Sequence, residues 1–131
     1  MNLVTPSILI TDDDRDFRET LHEVFAPRGF RTLLAEDGEQ ALKVLEVETV
    51  HLMLLDMHMP RLTGLDTIRR VHVRFGHMPW ILMSARLDDD LRSEAEQEEA
   101  CSVLPKPFSF VELTSAVKRA LQRTYGWQPK E

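Results

Sequence analysis

A single cysteine, Cys101, stands in the 131-residue chain, so no disulfide can close within it. A reducing cytoplasm is the compartment this suggests. No apolar run approaches the ~20 residues that a membrane-spanning helix needs, and no membrane association is expected. Met1 to Ser7 contains no basic segment leading into an apolar core, so no signal peptide is expected. Basic charge is in deficit: 16 Lys and Arg against 22 Asp and Glu give a formal net charge of -6. Non-specific nucleic-acid or anionic-membrane binding rewards clustered positive charge, and direct nucleic-acid contact is therefore not expected. The histidines, His22, His51, His58, His72 and His77, form no i, i+4 pair, so the sequence shows no helical zinc motif. Repeats, low-complexity tracts and internal linkers are also missing.

What the chain does contain is alternation. Short apolar runs at Ser7–Thr11, Arg31–Ala35, His51–Leu55, Pro79–Met83 and Ser102–Leu104 read as strands. Between and after them lie helical patterns: Arg15–Ala26, Glu39–Val47, a third around Leu65 and Ile68, Asp88–Ala100, and a last one capped by Ser109. Asp14 is the expected N-cap of the first helix. Phe110, Leu113, Val117, Ala120 and Leu121 are expected to share the buried face of the last. Five strands alternating with five helices imply an α/β fold with a parallel sheet and right-handed crossovers. The length matches a flavodoxin-like doubly wound (βα)5 arrangement with strand order 2-1-3-4-5, whose switch point lies between strands one and three.

The strand ends carry the chemistry. Strand one runs into Asp12-Asp13-Asp14, strand three into Asp56, strand four into Ser84 and strand five into Lys106. In an open parallel sheet these ends form one edge, and ligands bind there. Three or four crowded carboxylates raise at least one pKa unless a cation neutralises them. An all-Asp set without cysteine points to magnesium, or manganese, rather than zinc. Read alone, Asp-Asp-Asp is more simply a solvated loop and a helix cap. Asp56 changes this, because a charge closing the most apolar strand is costly without a partner. Lys106 suits a phosphoryl oxygen as a point charge, and Ser84 offers a hydroxyl to the same group.

These residues resemble the receiver domain of two-component response regulators over nearly the whole chain. The resemblance rests on Ile8-Leu9-Ile10-Thr11-Asp12-Asp13, Leu54-Leu55-Asp56-Met57-His58-Met59-Pro60 with Gly64, Ser84-Ala85 and Lys106-Pro107-Phe108. It implies that Asp56 is the phospho-acceptor, attacking the phosphohistidine of a sensor histidine kinase or phosphotransfer protein. It implies Asp12 and Asp13 as magnesium ligands, joined by Asp56 and the backbone carbonyl of His58. Ser84 would be the switch hydroxyl and Lys106 the phosphate-binding lysine, with a cis Lys106-Pro107 bond. Phosphorylation would bias the surface formed by helix 4, strand 5 and helix 5. The chain is expected to be one receiver domain over 1–131, with its core at about 7–125 and no effector domain. It would be a phospho-acceptor with slow autodephosphorylation rather than an enzyme.

Three departures from the family pattern stand out. Val103 holds the place, three residues before the lysine, where the family usually carries an aromatic relay. Valine is stiff about its one torsion and small, so muted or rerouted signalling is expected. Glu99 stands where glycine is common, and an extended fourth helix is expected. Thr11 replaces an apolar residue and is expected to pack its methyl group. The acids of the fourth helix and Lys118, Arg119 and Arg123 of the fifth read first as solvated faces, with a two-fold homodimer through them as the alternative. Rival functions are weaker. An aspartyl-phosphate hydrolase commonly needs an acid two residues past the nucleophile, where His58 stands. A flavodoxin needs a Ser/Thr/Gly-rich phosphate loop after strand one, where Asp12-Asp13-Asp14 would repel the flavin phosphate. A phosphorylation-independent scaffold is favoured only by Val103.

Overall fold

Five strands and five helices alternate along the computed structural model, which describes residues 3–129. The ends of the expected domain span, Met1, Asn2, Lys130 and Glu131, lie outside the described residues. The strands are β1 (Ser7–Thr11), β2 (Arg31–Ala35), β3 (Leu52–Asp56), β4 (Trp80–Ser84) and β5 (Ser102–Pro105). The helices are α1 (Arg15–Phe25), α2 (Gly38–Val47), α3 (Gly64–Phe75), α4 (Asp89–Gln97) and α5 (Phe110–Tyr125). All pairings are parallel and the order is β2-β1-β3-β4-β5, as the alternation predicts.

Burial explains the order. Every residue of β1, β3 and β4 is buried, as strands covered on both faces must be. β2, with Arg31 exposed, takes an edge. Alternate residues of the central strands point to opposite faces and build two cores. Ile8, Ile10, Leu52 and Leu54 pack with α1 and α5; Leu9, Met53, Leu55 and Leu82 pack with α2, α3 and α4. Phe110 is a correction to the expected face of α5. It is 46% exposed, because it stands at the first helical position, a turn ahead of the buried Leu113.

Local signals set the ends. Asp14 caps α1 by accepting from the Phe17 amide, as expected. Asp37 and Asp88 do the same for α2 and α4, and Thr63 and Ser109 form capping boxes on α3 and α5. α1 ends at Phe25, and a single 3-10 turn, Ala26–Arg28, follows around Pro27. β3 and β4 run one residue further than expected, so Asp56 and Ser84 belong to the strands themselves.

Glu99 overturns its expectation. α4 stops at Gln97, and Glu99 takes a left-handed φ of 60°. The Glu99 and Ala100 amides bond back to Glu96 and Ala95, while the Trp80 indole donates to the Glu98 carbonyl. These bonds close the helix and outweigh the roughly 1–2 kcal/mol that a left-handed non-glycine residue costs.

Thr11 is fully buried, and its hydroxyl has no hydrogen-bond partner among the described residues. An unpaired buried hydroxyl costs about 1–3 kcal/mol. Thr11→Val keeps the shape and is expected to raise unfolding stability by about 1 kcal/mol. Denaturant titration checks this, and a loss of stability would reveal a hidden partner for the hydroxyl.

Candidate functional site

The carboxyl edge of the sheet assembles the charged groups. Asp12 directly follows β1, Asp56 ends β3, Ser84 ends β4 and Lys106 follows β5. Because β1 and β3 are neighbours, Asp12 and Asp56 lie side by side at the switch point. Asp12 is 1% exposed and Asp56 5%, whereas Asp13 is exposed. Ligand oxygens of Asp12, Asp13 and Asp56 all lie within 4.8 Å of one another.

Lys106 lies between the two buried carboxylates. Its Nζ stands 2.7 Å from Asp12 Oδ2 and 3.2 Å from Asp56 Oδ1. It also sits 4.2 Å from the centre of the Phe17 ring, a cation–π contact. The Lys106-Pro107 peptide bond is cis, and Phe108 beyond it packs edge-on against the Phe17 ring. The Lys106 amide donates to the Ser84 carbonyl, which ties the last two strand ends together.

Burial pushes the Asp56 carboxyl up from 3.8 to about 6, and the neighbouring Asp12 adds to the rise. Lys106 opposes this and does not cancel it. For Lys106 itself, burial favours the neutral amine, but the Asp12 hydrogen bond and both carboxylates outweigh it and hold the ammonium above its ordinary value. Asp12 has further fixed partners: its Oδ1 accepts from the Asp14 amide, and its carbonyl accepts from Arg18.

The expected set divides in two. Asp12, Asp13, Asp56 and Lys106 converge. Ser84 is buried at the same edge, but its hydroxyl accepts from the Arg86 amide at 3.1 Å and lies 3.4 Å from His58 Nε2. The His58 imidazole is exposed on the loop after β3, and no hydrogen bond among the described residues uses its carbonyl. Val103 is half-buried against the core beneath α4. Two contributors escape sequence reasoning. Phe17 reads as a core-facing position of α1, yet its ring is also the floor under Lys106. Gly64 reads only as a motif residue, yet a Cβ there would stand 2.6 Å from the Asp56 carbonyl oxygen and 3.2 Å from Met57 Cα.

That contact gives a prediction. Alanine in a helix is ordinarily favoured over glycine by roughly 0.5–1 kcal/mol. Here the neighbour is backbone that cannot rotate away, so Gly64→Ala is expected to cost about 2 kcal/mol instead. It is also expected to shift the loop beside Asp56 and weaken divalent-cation binding. Thermal unfolding and a magnesium titration check both. An unchanged melting temperature with unchanged magnesium affinity would show that the loop absorbs the methyl group freely.

The donor set fits a hard divalent cation. It offers only oxygen, from three carboxylates on one edge, with open solvent on the Asp13 side for retained waters.

Comparison with known proteins agrees with this geometry. The family model "Response regulator receiver domain" matches residues 8–118. The transcriptional regulatory protein CpxR of Klebsiella pneumoniae is 36% identical over 124 residues, covering 95% of this chain and 52% of CpxR. The chain thus spans about half the length of such relatives. Sporulation initiation phosphotransferase F of Bacillus subtilis is 34% identical over 119 residues, covering 91% of this chain and 96% of that protein. The crystal structure of response regulator protein TrrA from Thermotoga maritima, in complex with Mg2+-BeF, is 32% identical with a TM-score of 0.78. It covers 88% of this chain and 99% of that one. With the fold, the acidic edge and the matched family all in agreement, the chain belongs to the response regulator receiver domain family.

Proposed function

We propose that Asp56 accepts a phosphoryl group from the phosphohistidine of a sensor histidine kinase or phosphotransfer protein. The observation that carries this reading is the convergence of Asp12, Asp13, Asp56 and Lys106 on one point of the switch edge. Asp12, Asp13, Asp56 and the His58 carbonyl are the groups that would hold magnesium, or manganese. Such an ion would supply positive charge for the phosphoryl oxygens.

The chain's own residues do the rest. An Asp56 carboxylate oxygen attacks phosphorus in line, and the P–N bond breaks with its electron pair left on the imidazole, which takes up a solvent proton. Lys106 Nζ turns from the carboxylates to a phosphoryl oxygen. Ser84 leaves the Arg86 amide and donates its hydroxyl to the same group. With Val103 in place of an aromatic ring, the movement passes mainly through the loop between β4 and α4, a shift between two populated arrangements. Water attack on the acyl phosphate returns Asp56 and inorganic phosphate slowly, which resets the switch. An apolar groove of about 460 Å³, lined by Phe17, Ala85, Pro107, Phe108 and Phe110, adjoins Lys106 and offers the phosphoryl donor a docking surface.

The partner surface would be α4, β5 and α5. Asp89, Asp90, Glu94 and Glu96 of α4, and Lys118, Arg119 and Arg123 of α5, are all exposed. Among the described residues they form no ion pair within the chain. That complementarity supports a two-fold dimer when Asp56 is modified.

One experiment tests the reading. Incubation with magnesium and acetyl phosphate is expected to add the mass of one phosphoryl group, and omission of magnesium to prevent it. Sedimentation of a beryllium fluoride-treated sample reports the dimer. No mass gain in the wild type would sink the switch; a persistent monomer would sink only the dimer.

A further inference from the structure

Lys106 carries a point charge on a flexible four-carbon stem, and three neighbours meet its ammonium. Two are the carboxylates of Asp12 and Asp56, at 2.7 and 3.2 Å. The third is the Phe17 ring, whose centre lies 4.2 Å from Nζ. An ammonium has three N–H groups, so the carboxylates leave one of them for the ring face. Phe17 is itself anchored. Its amide donates to the Asp14 cap at the start of α1, and its side chain packs against the core shared by α1 and α5. Phe108 meets the same ring edge-on, with centres 5.9 Å apart and planes at 72°. Lys106 and Phe108, two residues apart in sequence, thus both close on one ring.

The three partners differ in what transfer does to them. In moving to a phosphoryl oxygen, Nζ gives up carboxylate contacts, and the Asp56 carboxylate itself becomes an ester of the phosphoryl group. The ring keeps its charge distribution throughout. Its attraction comes from the negative face of the π system, needs no hydrogen-bond acceptor, and persists as Nζ slides over that face. Such a contact is stronger away from water, and the Lys106 side chain is only 22% exposed. An aliphatic side chain at position 17 would fill the same edge of the core and attract nothing. Phe17 also forms a wall of the apolar groove beside Lys106, so a molecule seated in that groove touches the ring that holds the lysine.

We infer that Phe17 is a positioning residue, which holds the Lys106 ammonium over the site through the face of its ring. Its part in phosphoryl transfer rests on the reading of Asp56 as phospho-acceptor; the contact itself belongs to the resting fold. No bond forms or breaks at Phe17. The ring confines the swing of Nζ to the space between the carboxylates and the incoming phosphoryl oxygen, so less freedom is lost when the lysine engages. A cation–π contact of about 0.5–2 kcal/mol corresponds to roughly a 2- to 30-fold effect on rate, which sets the size of the change to look for.

The test replaces Phe17 in the full chain by mono-, di- and trifluorophenylalanine, which keep the ring's outline and drain charge from its face. The rate of phosphoryl uptake from acetyl phosphate at fixed magnesium is expected to fall stepwise, to about one fifth of wild type in the trifluoro protein. Phe17→Leu is expected to be at least as slow. Melting temperature is the second readout, taken near pH 5, where Lys106→Met is best tolerated. It is expected to fall by roughly 3 °C across the series relative to the same series made in Lys106→Met, where no cation faces the ring. Equal rates across the fluorinated proteins would overturn the positioning role, and so would parallel melting series in the two backgrounds, since packing alone would then account for Phe17. Uptake absent even from the wild type would count against the Asp56 reading; the two melting series would still decide whether the ring holds the ammonium.

Discussion

Asp56→Asn is expected to abolish phosphoryl uptake and, at the same time, to stabilise the fold. The two effects share one cause. Burial and Asp12 raise the Asp56 carboxyl from 3.8 to about 6, so the folded state prefers the neutral form. A group with a raised folded pKa contributes its stability fully below the unfolded value, and that contribution is lost as pH rises through the folded one. The wild type therefore loses about 3 kcal/mol between pH 4 and 6 from this residue, at about 1.4 kcal/mol per pKa unit. Asparagine has no charge to bury. The stability gap between Asp56→Asn and wild type is expected to be near zero at pH 4, to open through pH 6 and to level off above it. Magnesium is expected to stabilise the wild type and to narrow the gap. Urea titrations across pH measure it. A variant less stable than wild type at pH 7 would falsify the claim that the site stores unfavourable charge for function.

Lys106→Met is expected to act in the opposite direction. It removes the cation that stands 2.7 Å from Asp12 and 3.2 Å from Asp56, while methionine keeps the packing on Phe17. Two buried carboxylates then face each other without a counter-charge. Breaking a buried pair in this way costs about 3–5 kcal/mol. The loss is expected to be largest above pH 6, to shrink toward pH 4 as Asp56 takes its proton, and to be partly reversed by magnesium. Phosphoryl uptake is expected to fall steeply, since no fixed cation meets the incoming oxygens. In Asp56→Asn/Lys106→Met the cost is expected to be less than the two separate effects summed, because one charge contact links them. A pH-independent loss would mean that Lys106 acts through packing alone.

Much of this was legible from the chain. The apolar runs of β1, β3 and β4 carry almost no polar residue, which only a strand buried on both faces requires, and helices between them leave a parallel sheet as the simple solution. Asp12, Asp56, Ser84 and Lys106 could be placed on one edge because each ends a run whose direction the alternation dictates. Asp14 and Ser109 were readable as caps from their place before a helical pattern. What escaped was what depends on neighbours distant in sequence. Glu99 looked like a helix residue because its local propensity is helical, but bonds from its own turn and from Trp80 end α4 at Gln97. Phe110 fits an apolar stripe, yet it stands past the end of the core it would enter.

The sequence by itself determined the layers, the strand order and the list of groups at the edge, because periodicity and strand direction are properties of the chain. Only the tertiary structure decided how those groups share charge. Lys106 bridges Asp12 and Asp56, Ser84 rests on Arg86 and His58, and Phe17 lies under the ammonium. At the other edge the same packing sets His72 and His77 against Glu98 and Glu99. The physical reason is that charge interactions depend on distance and burial, and both are set by contacts between residues far apart along the chain.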